Sequence, residues 1–186
     1  SRLQKMNVHK LSKETIEEAL EYGKVHLEFC MELIRIQMEQ GLCFVFEHPW
    51  SATSWENEEV KKVLKTEGVH RVRGDMCQFD MIQEDRKGIA KVKKSTGFMT
   101  NSENIAARLE RHCAGNHRHI VLVDGRANHA QVYPDKLCTE MLKGLLEEMK
   151  EDGRIHGDMC VGSVMPEEKR YDLEQFWDDI SGEPLD

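Results

Sequence analysis

A long amphipathic helix followed at once by an apolar strand is the feature that most constrains this fold. Between about Ser12 and Gln40, apolar residues recur at steps of three and four, which predicts a helix with one apolar stripe. Ser12 suits the N-cap, and Gly41 suits the left-handed residue that ends a helix. Residues 42–46 are then apolar at consecutive positions, which is typical of a central, usually parallel strand covered by helices on both faces. The stripe consists of Ile16, Leu20, Gly23, Leu27, Cys30, Ile34 and Met38.

The rest of the chain continues this alternation of helices and strands. The predicted elements are a helix at 55–65 capped by Ser54, a strand at 70–77, a ribbon at 80–100 turning at 84–88, a helix capped by Asn101 or Ser102, a strand at 120–123 and a helix at 135–150. Such an order predicts an α/β fold. We expect residues 1–150 to form this domain and residues 151–186 to form an acidic, weakly structured tail.

Composition indicates a soluble intracellular protein, nuclear or cytoplasmic, that does not act in a membrane. No apolar run approaches the ~18 residues of a membrane span, and the first thirty residues lack the apolar block of a signal peptide. The net charge is −8, and residues 166–186 contribute most of it with eight acidic and two basic residues. The six cysteines are widely spaced without a C-x-x-C pair, which favours free thiols over a disulfide framework.

Glu47, His48 and Pro49 follow the apolar run, and we expect them at the carboxyl end of its strand, where open α/β sheets bind ligands. Proline ends the hydrogen-bonding ladder and fixes the chain direction, so the preceding carboxylate would be held rigidly. Glu47 is therefore a candidate functional carboxylate. The alternatives are that Glu47 caps the next helix and that His48 is simply packed or exposed.

Cys113, His117 and His119 form a C-x3-H-x-H pattern whose side chains suit zinc. His112, His129 or Cys77 could supply a fourth ligand. The alternative is that these are ordinary polar residues beside a nucleic-acid or substrate cleft.

Basic residues are in excess between positions 70 and 119, which contain ten basic and six acidic residues. This excess indicates a candidate phosphate-facing stripe, and a solvated mixed-charge loop is the alternative. The chain contains no G-x-G-x-x-G or Walker loop, no G-x-S-x-G elbow and no H-E-x-x-H motif. The basic residues are Arg71, Arg73, Arg86, Lys87, Lys91, Lys93, Lys94, Arg108, Arg111 and Arg118.

Five short motifs occur in an order that resembles a known family. They are FVFEHPWSATSW at 44–55, DMCQFD at 75–80, KKSTGFMTN at 93–101, HRHIVLVDG at 117–125 and YPDKLC at 133–138. The chain, from about Leu3 to Leu146, is similar to the second half of a methyltransferase-like domain of retroelement-type polyproteins, notably of dinoflagellates and fungi. That domain is distantly similar to phage cytosine-5 DNA methylases.

The resemblance implies a partial Rossmann-like sheet with flanking helices, of the S-adenosylmethionine-dependent methyltransferase type. It implies that Glu47 is the catalytic carboxylate that contacts the target base and favours protonation of its ring nitrogen. The chain departs from the family at His48, where the motif has Asn, at Phe79-Asp80, where it has Tyr-Gly, and at Ser95, where it has Pro. The substrate-binding positions that the resemblance implies are His48, Pro49, Cys77, Gln78, Lys94, Thr96, Thr100 and Asn101.

In such domains a glycine-rich cofactor loop and a nucleophile loop precede this region, and neither motif occurs here. We therefore expect a C-terminal fragment that neither binds S-adenosylmethionine nor methylates a base by itself. The expected partners are DNA or RNA and the missing N-terminal half. Self-association is also expected, through an uncovered sheet edge and the stripe of the first helix. The alternative function is a non-catalytic nucleic-acid-binding or structural module, stabilised by zinc.

Overall fold

The computed structural model describes residues 12–122 and 130–155, which form a mixed α/β structure. The chain divides into two compact units between Glu148 and Met149. The tail prediction for 156–186, and the predictions for Val123 and His129, lie outside the described residues. The helices are α1 (Lys13–Glu39), α2 (Glu58–Leu64), α3 (Glu103–Leu109) and α4 (Asp135–Glu151), with 3-10 turns at Thr53–Glu56 and Met76–Phe79. The strands are β1 (Val45–Pro49), β2 (His70–Asp75), β3 (Ile82–Asp85), β4 (Gly88–Val92), β5 (Ser95–Thr100) and β6 (His119–Ile120).

Helix α1 begins and ends where its sequence predicts. The Ser12 side chain accepts a hydrogen bond from the backbone N–H of Thr15 at 3.1 Å, and Gly41 follows the helix with a φ of 66°. Only its second half is buried, at Leu27, Met31 and Ile34. The first half of the predicted stripe is therefore not covered by the rest of the described chain.

The first sheet has the strand order β1-β5-β2, and both pairings are antiparallel. The expectation of a central, parallel strand at 42–46 is therefore wrong, because β1 starts only at Val45 and lies at an edge of this sheet. A continuous apolar run indicates that both faces of a strand are covered, but it does not indicate whether the neighbouring strands are parallel or antiparallel. Here Phe44 packs into the core on one side of the sheet and Cys43 against the core on the other. A Rossmann-like arrangement is not confirmed.

Helical segments cover both faces of this sheet. On one face Phe46 and Met99 pack with α1, α2 and Trp55. On the other face Phe98 packs with Phe79, α3 and α4. Because side chains alternate along a strand, the two faces carry separate sets of residues, and neighbours in sequence do not share a site.

Glycine is required at position 97 for steric reasons. A Cβ there would lie 2.7 Å from Cζ2 of Trp55 and 3.3 Å from Cε3 of Trp50. The absence of a side chain lets both indoles lie directly on the sheet.

The second sheet has the order β3-β4-β6 and begins with the predicted ribbon. Strands β3 and β4 form an antiparallel hairpin, and β6 pairs with β4 in parallel. The ribbon predicted at 80–100 does not stay together, because its last part, β5, joins the first sheet. The strand predicted at 70–77 ends at Asp75, where the chain enters a 3-10 turn.

The cap predicted for the second helix was one turn early. Residues 53–56 form a 3-10 turn, and the side chain of Asn57 caps α2 by accepting from the backbone N–H of Glu59 at 2.8 Å. The prediction of a Ser54 cap is therefore wrong, since the helix proper begins three residues beyond the first apolar residue of the segment. Among the described residues, no helix is both long and apolar enough to cross a bilayer.

Candidate metal centre and the Glu47 site

Four side chains that suit a metal ion converge where the two sheets meet. Their ligand atoms all lie within 4.8 Å of one another, so the group could hold a metal ion. The predicted residues Cys113, His117 and His119 come together, and Cys77 joins them as the fourth. Of the alternatives, His112 lies outside the cluster, with Nε2 3.8 Å from a carboxylate oxygen of Glu110.

The backbone brings these ligands together from three separate segments. The 3-10 turn after β2 carries Cys77. The segment after α3 is held beside the end of β2, because the Asp75 N–H donates to the Arg111 carbonyl at 2.8 Å and the Arg111 N–H donates to the Arg73 carbonyl at 3.1 Å. This pairing positions Cys113. The parallel register of β6 with β4, in which His119 pairs with Lys91, positions the histidines.

Cys113 lies at the middle of the cluster. Its Sγ is 3.6 Å from Nε2 of His117 and 3.5 Å from Nε2 of His119. The two imidazole rings are tilted against each other, with centroids 4.4 Å apart. Both histidines therefore present the same ring nitrogen to one sulfur.

A shell of hydrogen bonds surrounds the cluster. The backbone N–H of Cys113 donates to Oδ2 of Asp75 at 2.8 Å, and the N–H of Gly115 donates to Sγ of Cys113 at 3.3 Å. Nδ1 of His117 lies 3.1 Å from Oδ1 of Asn116, which leaves Nε2 facing the sulfur. Such partners orient metal ligands and select the histidine tautomer.

Asp75 is buried, and its carboxylate accepts several hydrogen bonds and forms an ion pair. Ser95 donates a hydrogen bond to Oδ1, and Arg73 forms an ion pair with the same oxygen at 3.0 Å. Burial alone would raise the pKa of Asp75, but the hydrogen bonds from Ser95, the Cys113 N–H and Arg73 hold that pKa below its usual value. The carboxylate therefore remains charged while it supports the Cys113 backbone.

Burial also shifts the pKa values of two of these residues, Cys77 and His119. It raises the pKa of the Cys77 thiol to about 11, and the neighbouring Cys113 sulfur adds to this shift. Burial and the adjacent His117 lower the pKa of His119, which keeps its imidazole neutral and able to donate a lone pair. Without a cation Cys77 and His119 are therefore neutral, and a bound cation would favour the thiolate that metals prefer.

A second group of polar residues surrounds Glu47 on the face of the first sheet that carries Phe98. Oε1 of Glu47 lies 3.9 Å from Nζ of Lys94, which also donates to the Ala130 carbonyl at 3.2 Å. Nζ of Lys94 lies 5.6 Å from the ring centre of Tyr133. Burial raises the pKa of Tyr133, and the charge of Glu47 and a hydrogen bond to it contribute.

Thr96 lies on the same face as Glu47 and is fully buried. Its hydroxyl has no hydrogen-bond partner among the described residues. Beside this group, Tyr133 lines an open cleft together with Asp80, Met81 and Pro134. Glu47, Lys94 and Thr96 were expected to belong to one site, whereas Tyr133 begins one of the five motifs but was not among the predicted site residues.

The remaining predicted substrate residues are dispersed. His48 lies on the opposite face from Glu47, stacked on Phe46 at 5.7 Å between ring centres, and burial lowers its pKa. The Pro49 carbonyl accepts a hydrogen bond from Nε1 of Trp55 at 2.9 Å. Nε2 of Gln78 donates to the Cys77 sulfur at 3.8 Å.

The side chains of Thr100 and Asn101 form hydrogen bonds with the backbone. Oγ1 of Thr100 accepts from the Ser102 N–H at 3.2 Å. The Asn101 side chain accepts from the N–H of Phe44 at 3.0 Å and donates to the carbonyl of Leu42 at 3.0 Å. These contacts fix the entry into β1.

The predicted basic stripe is largely neutralised by neighbouring carboxylates. Arg71 instead stacks between the rings of Trp50 and Trp55, 4.2 Å from each ring centre. Within the described residues the stripe is therefore a network of mixed charge. The ion pairs are Arg73 with Asp75, Lys91 with Asp80, Lys94 with Glu47, Arg108 and Arg111 with Glu140, and Arg118 with Asp85.

Comparison of the chain with protein-family models, curated proteins and solved structures finds no match.

Proposed function

We propose that this chain is a binding module whose fold is stabilised by one structural zinc ion held by Cys77, Cys113, His117 and His119. One observation carries the proposal, namely the spacing around the Cys113 sulfur. Zinc bonds of about 2.3 Å to sulfur and about 2.0–2.1 Å to nitrogen place a sulfur and a nitrogen about 3.6 Å apart at two corners of a tetrahedron. The two measured distances from this sulfur to histidine nitrogens are 3.6 and 3.5 Å.

The ligand types favour zinc over other divalent cations. Two thiolates and two imidazoles are the Cys2His2 set of structural zinc sites, whereas magnesium and calcium prefer oxygen ligands. Four protein ligands leave no open position for water or substrate. The site therefore supports folding, and it does not activate a water molecule for hydrolysis.

The ion would add a cross-link to a connection that has little regular structure of its own. Strand β6 has only two residues in its ladder, and the connection from α3 to β6 contains no further helix or strand. Zinc would fasten this connection to the turn after β2. In a chain of this kind, metal-binding free energy becomes folding free energy.

The direct test is the metal content and the cobalt spectrum of the purified chain. We expect one zinc per chain, and we expect cobalt to replace zinc with the visible and thiolate charge-transfer bands of a tetrahedral site. Cys113→Ser and His119→Ala should abolish these bands. The matched controls are Cys138→Ser and His112→Ala, because both residues lie outside the cluster. A chain that folds without metal and gives no tetrahedral cobalt spectrum would contradict the proposal.

A second candidate function is recognition of a nucleic-acid base at Glu47. The observation that favours it is the buried hydroxyl of Thr96 without a described partner, on the face that carries Glu47. A carboxylate, an ammonium group and a hydroxyl can together satisfy the donors and acceptors of a base edge. The resemblance to methyltransferase-like domains assigns the same role to Glu47.

This candidate requires no cofactor on the chain itself. The sequence contains no glycine-rich loop for S-adenosylmethionine, so we propose base binding by this chain and no methyl transfer. Titration of the chain with nucleosides and with a single-stranded oligonucleotide, followed by NMR, tests it. Glu47→Gln should abolish the shifts around β1, whereas Glu67→Gln, at an exposed position, should not. Equal binding by both variants would exclude Glu47 as the recognition residue.

A further inference from the structure

Helix α1 is apolar on two opposite faces. The inner face carries the buried residues Leu27, Met31 and Ile34. At about 100° per residue, a second set of five large apolar side chains points the opposite way. We call this set the outer stripe. It consists of Tyr22, Val25, Phe29, Leu33 and Ile36, whose side chains are 78, 56, 58, 46 and 40% exposed.

The outer stripe has the spacing of a helix–helix interface. Its members are three, four, four and three residues apart, so they remain aligned over four turns, about 21 Å of helix. Single exposed apolar residues are common, but an aligned row of five is typical of a binding surface. Leu20, which is 68% exposed, is not part of it, because it continues the inner face beyond the body of the domain.

The charges beside the outer stripe are uneven. One side of the stripe carries a row of glutamates, and two cations lie beside this row. Lys24 pairs with Glu28 at 4.0 Å, and Arg35 pairs with Glu32 at 3.0 Å. The other flank carries His26, Cys30 and Gln37, none of which is acidic. One flank is therefore net negative and the other is not. The acidic flank consists of Glu14, Glu21, Glu28, Glu32 and Glu39.

We propose that the outer stripe binds an amphipathic helix of a partner protein, with lysine or arginine residues along the side that meets the acidic flank. This surface is distinct from the metal cluster and from Glu47, and the inference does not rest on the proposed function. Apolar side chains supply the area that is buried, and opposite charges select the partner and its orientation.

Charge argues against the two simplest other occupants. In antiparallel self-pairing, a two-fold axis across the helices would place each acidic flank against its own copy, so glutamates would face glutamates. Parallel self-pairing would set the acidic flank against the flank of His26, Cys30 and Gln37, which has no lysine or arginine to pair with the glutamates. An anionic membrane surface would repel the glutamates.

Two synthetic peptides test the proposal on the full chain. They share one apolar face of leucine and isoleucine and differ only in carrying lysine or glutamate along the flanks. Each is labelled with a fluorophore and titrated with protein while anisotropy is recorded. We expect the lysine peptide to bind at least tenfold more tightly than the glutamate peptide, and added salt should reduce this ratio.

Variants locate the binding to the stripe. Phe29→Ser combined with Leu33→Ser should weaken lysine-peptide binding at least tenfold, whereas Leu20→Ser on the other face should leave it unchanged. Glu21→Gln combined with Glu28→Gln should reduce the preference for lysine. Because all these side chains are exposed or half-buried at the surface, circular dichroism should show unchanged helix content.

Several results would overturn the proposal. They are absence of binding by either peptide, equal binding of both peptides, and unchanged binding by the Phe29/Leu33 variant. Sedimentation equilibrium provides a further check on the chain alone. A homodimer that the Phe29/Leu33 variant abolishes would show that the stripe pairs with itself, and stripe-dependent binding to anionic vesicles would identify a membrane surface instead.

Discussion

Replacing Cys113 by serine removes the ligand at the middle of the metal cluster while leaving the backbone contact with Asp75 in place. We expect a large loss of stability, because the metal cross-links segments that are distant in sequence. Cys77 and Cys113 are 36 positions apart. By the loop-closure relation used for disulfides, joining ends at that separation contributes about 4 kcal/mol. For a domain of this size, such a loss lowers the melting temperature on the order of 10 °C.

The assay is thermal unfolding followed by circular dichroism, with and without a chelator. The chelator should lower the melting temperature of the wild type by about the same amount as the substitution does. It should leave Cys113→Ser unchanged, because the metal is already lost. Cys138→Ser, at an exposed cysteine outside the cluster, should retain the wild-type response. An unchanged wild-type melting temperature in chelator would refute the reasoning, and so would an equal effect of the Cys138 substitution.

Three further predictions concern the surroundings of the site and the core. Gly97→Ala should destabilise the fold by about 1–3 kcal/mol in urea unfolding, because the new Cβ would lie 2.7 Å from a Trp55 ring carbon. Asp75→Asn should weaken metal affinity about 10–100-fold in a chelator competition, since the carboxylate orients the Cys113 backbone. Burial alone would raise the pKa of Glu140, but Arg108 and positively charged neighbours hold it below its usual value. Stability from this group is therefore fully present above its unfolded-state pKa and lost as pH falls through its lower folded-state pKa, and the urea midpoint measured against pH should show this acid limb.

Each of these predictions has a clear opposite result. Wild-type stability of Gly97→Ala would mean that the indoles can move away at little cost. Unchanged metal affinity in Asp75→Asn would show that the loop is positioned without the carboxylate. An acid limb that persists in full in Glu140→Gln would assign it to other carboxylates.

Features that depend on neighbours in sequence were predicted well. The Ser12 cap, the Gly41 terminus and the turn between β3 and β4 all appear where expected, as does the start of α4 at Asp135. Each follows from local backbone preferences or from apolar periodicity. The missed cap at Asn57 is instructive, because the preceding 3-10 turn shifted the start of α2 without changing the apolar pattern.

Strand direction and strand order were not predicted. The apolar run at 42–46 correctly predicted that both faces of the sheet are covered. The strand that pairs with β1, however, is β5, which lies about fifty residues further along the chain. Apolarity does not distinguish parallel from antiparallel neighbours, so the pairing is decided by the packing of the whole chain. The same packing separates Glu47 from His48, because adjacent residues of a strand face opposite sides.

The outer stripe of α1 is a feature that was visible in the sequence but was not predicted. Tyr22, Phe29 and Ile36 recur at seven-residue steps that are visible in the sequence. Periodicity alone does not show which of two apolar faces of a helix is buried. Only the positions of Leu27, Met31 and Ile34 against the body show which face is covered and which remains exposed.

The metal cluster shows most clearly what the sequence determines and what the tertiary structure determines. The sequence by itself determined the donor chemistry, because a C-x3-H-x-H segment places one sulfur and two imidazoles within a few residues of each other. Only the tertiary structure decided the fourth ligand, by ending β2 at Asp75 and turning Cys77 towards the segment after α3. The physical reason is range: short spacings are constrained by covalent geometry, whereas the approach of residues 36 positions apart depends on the packing of the two sheets.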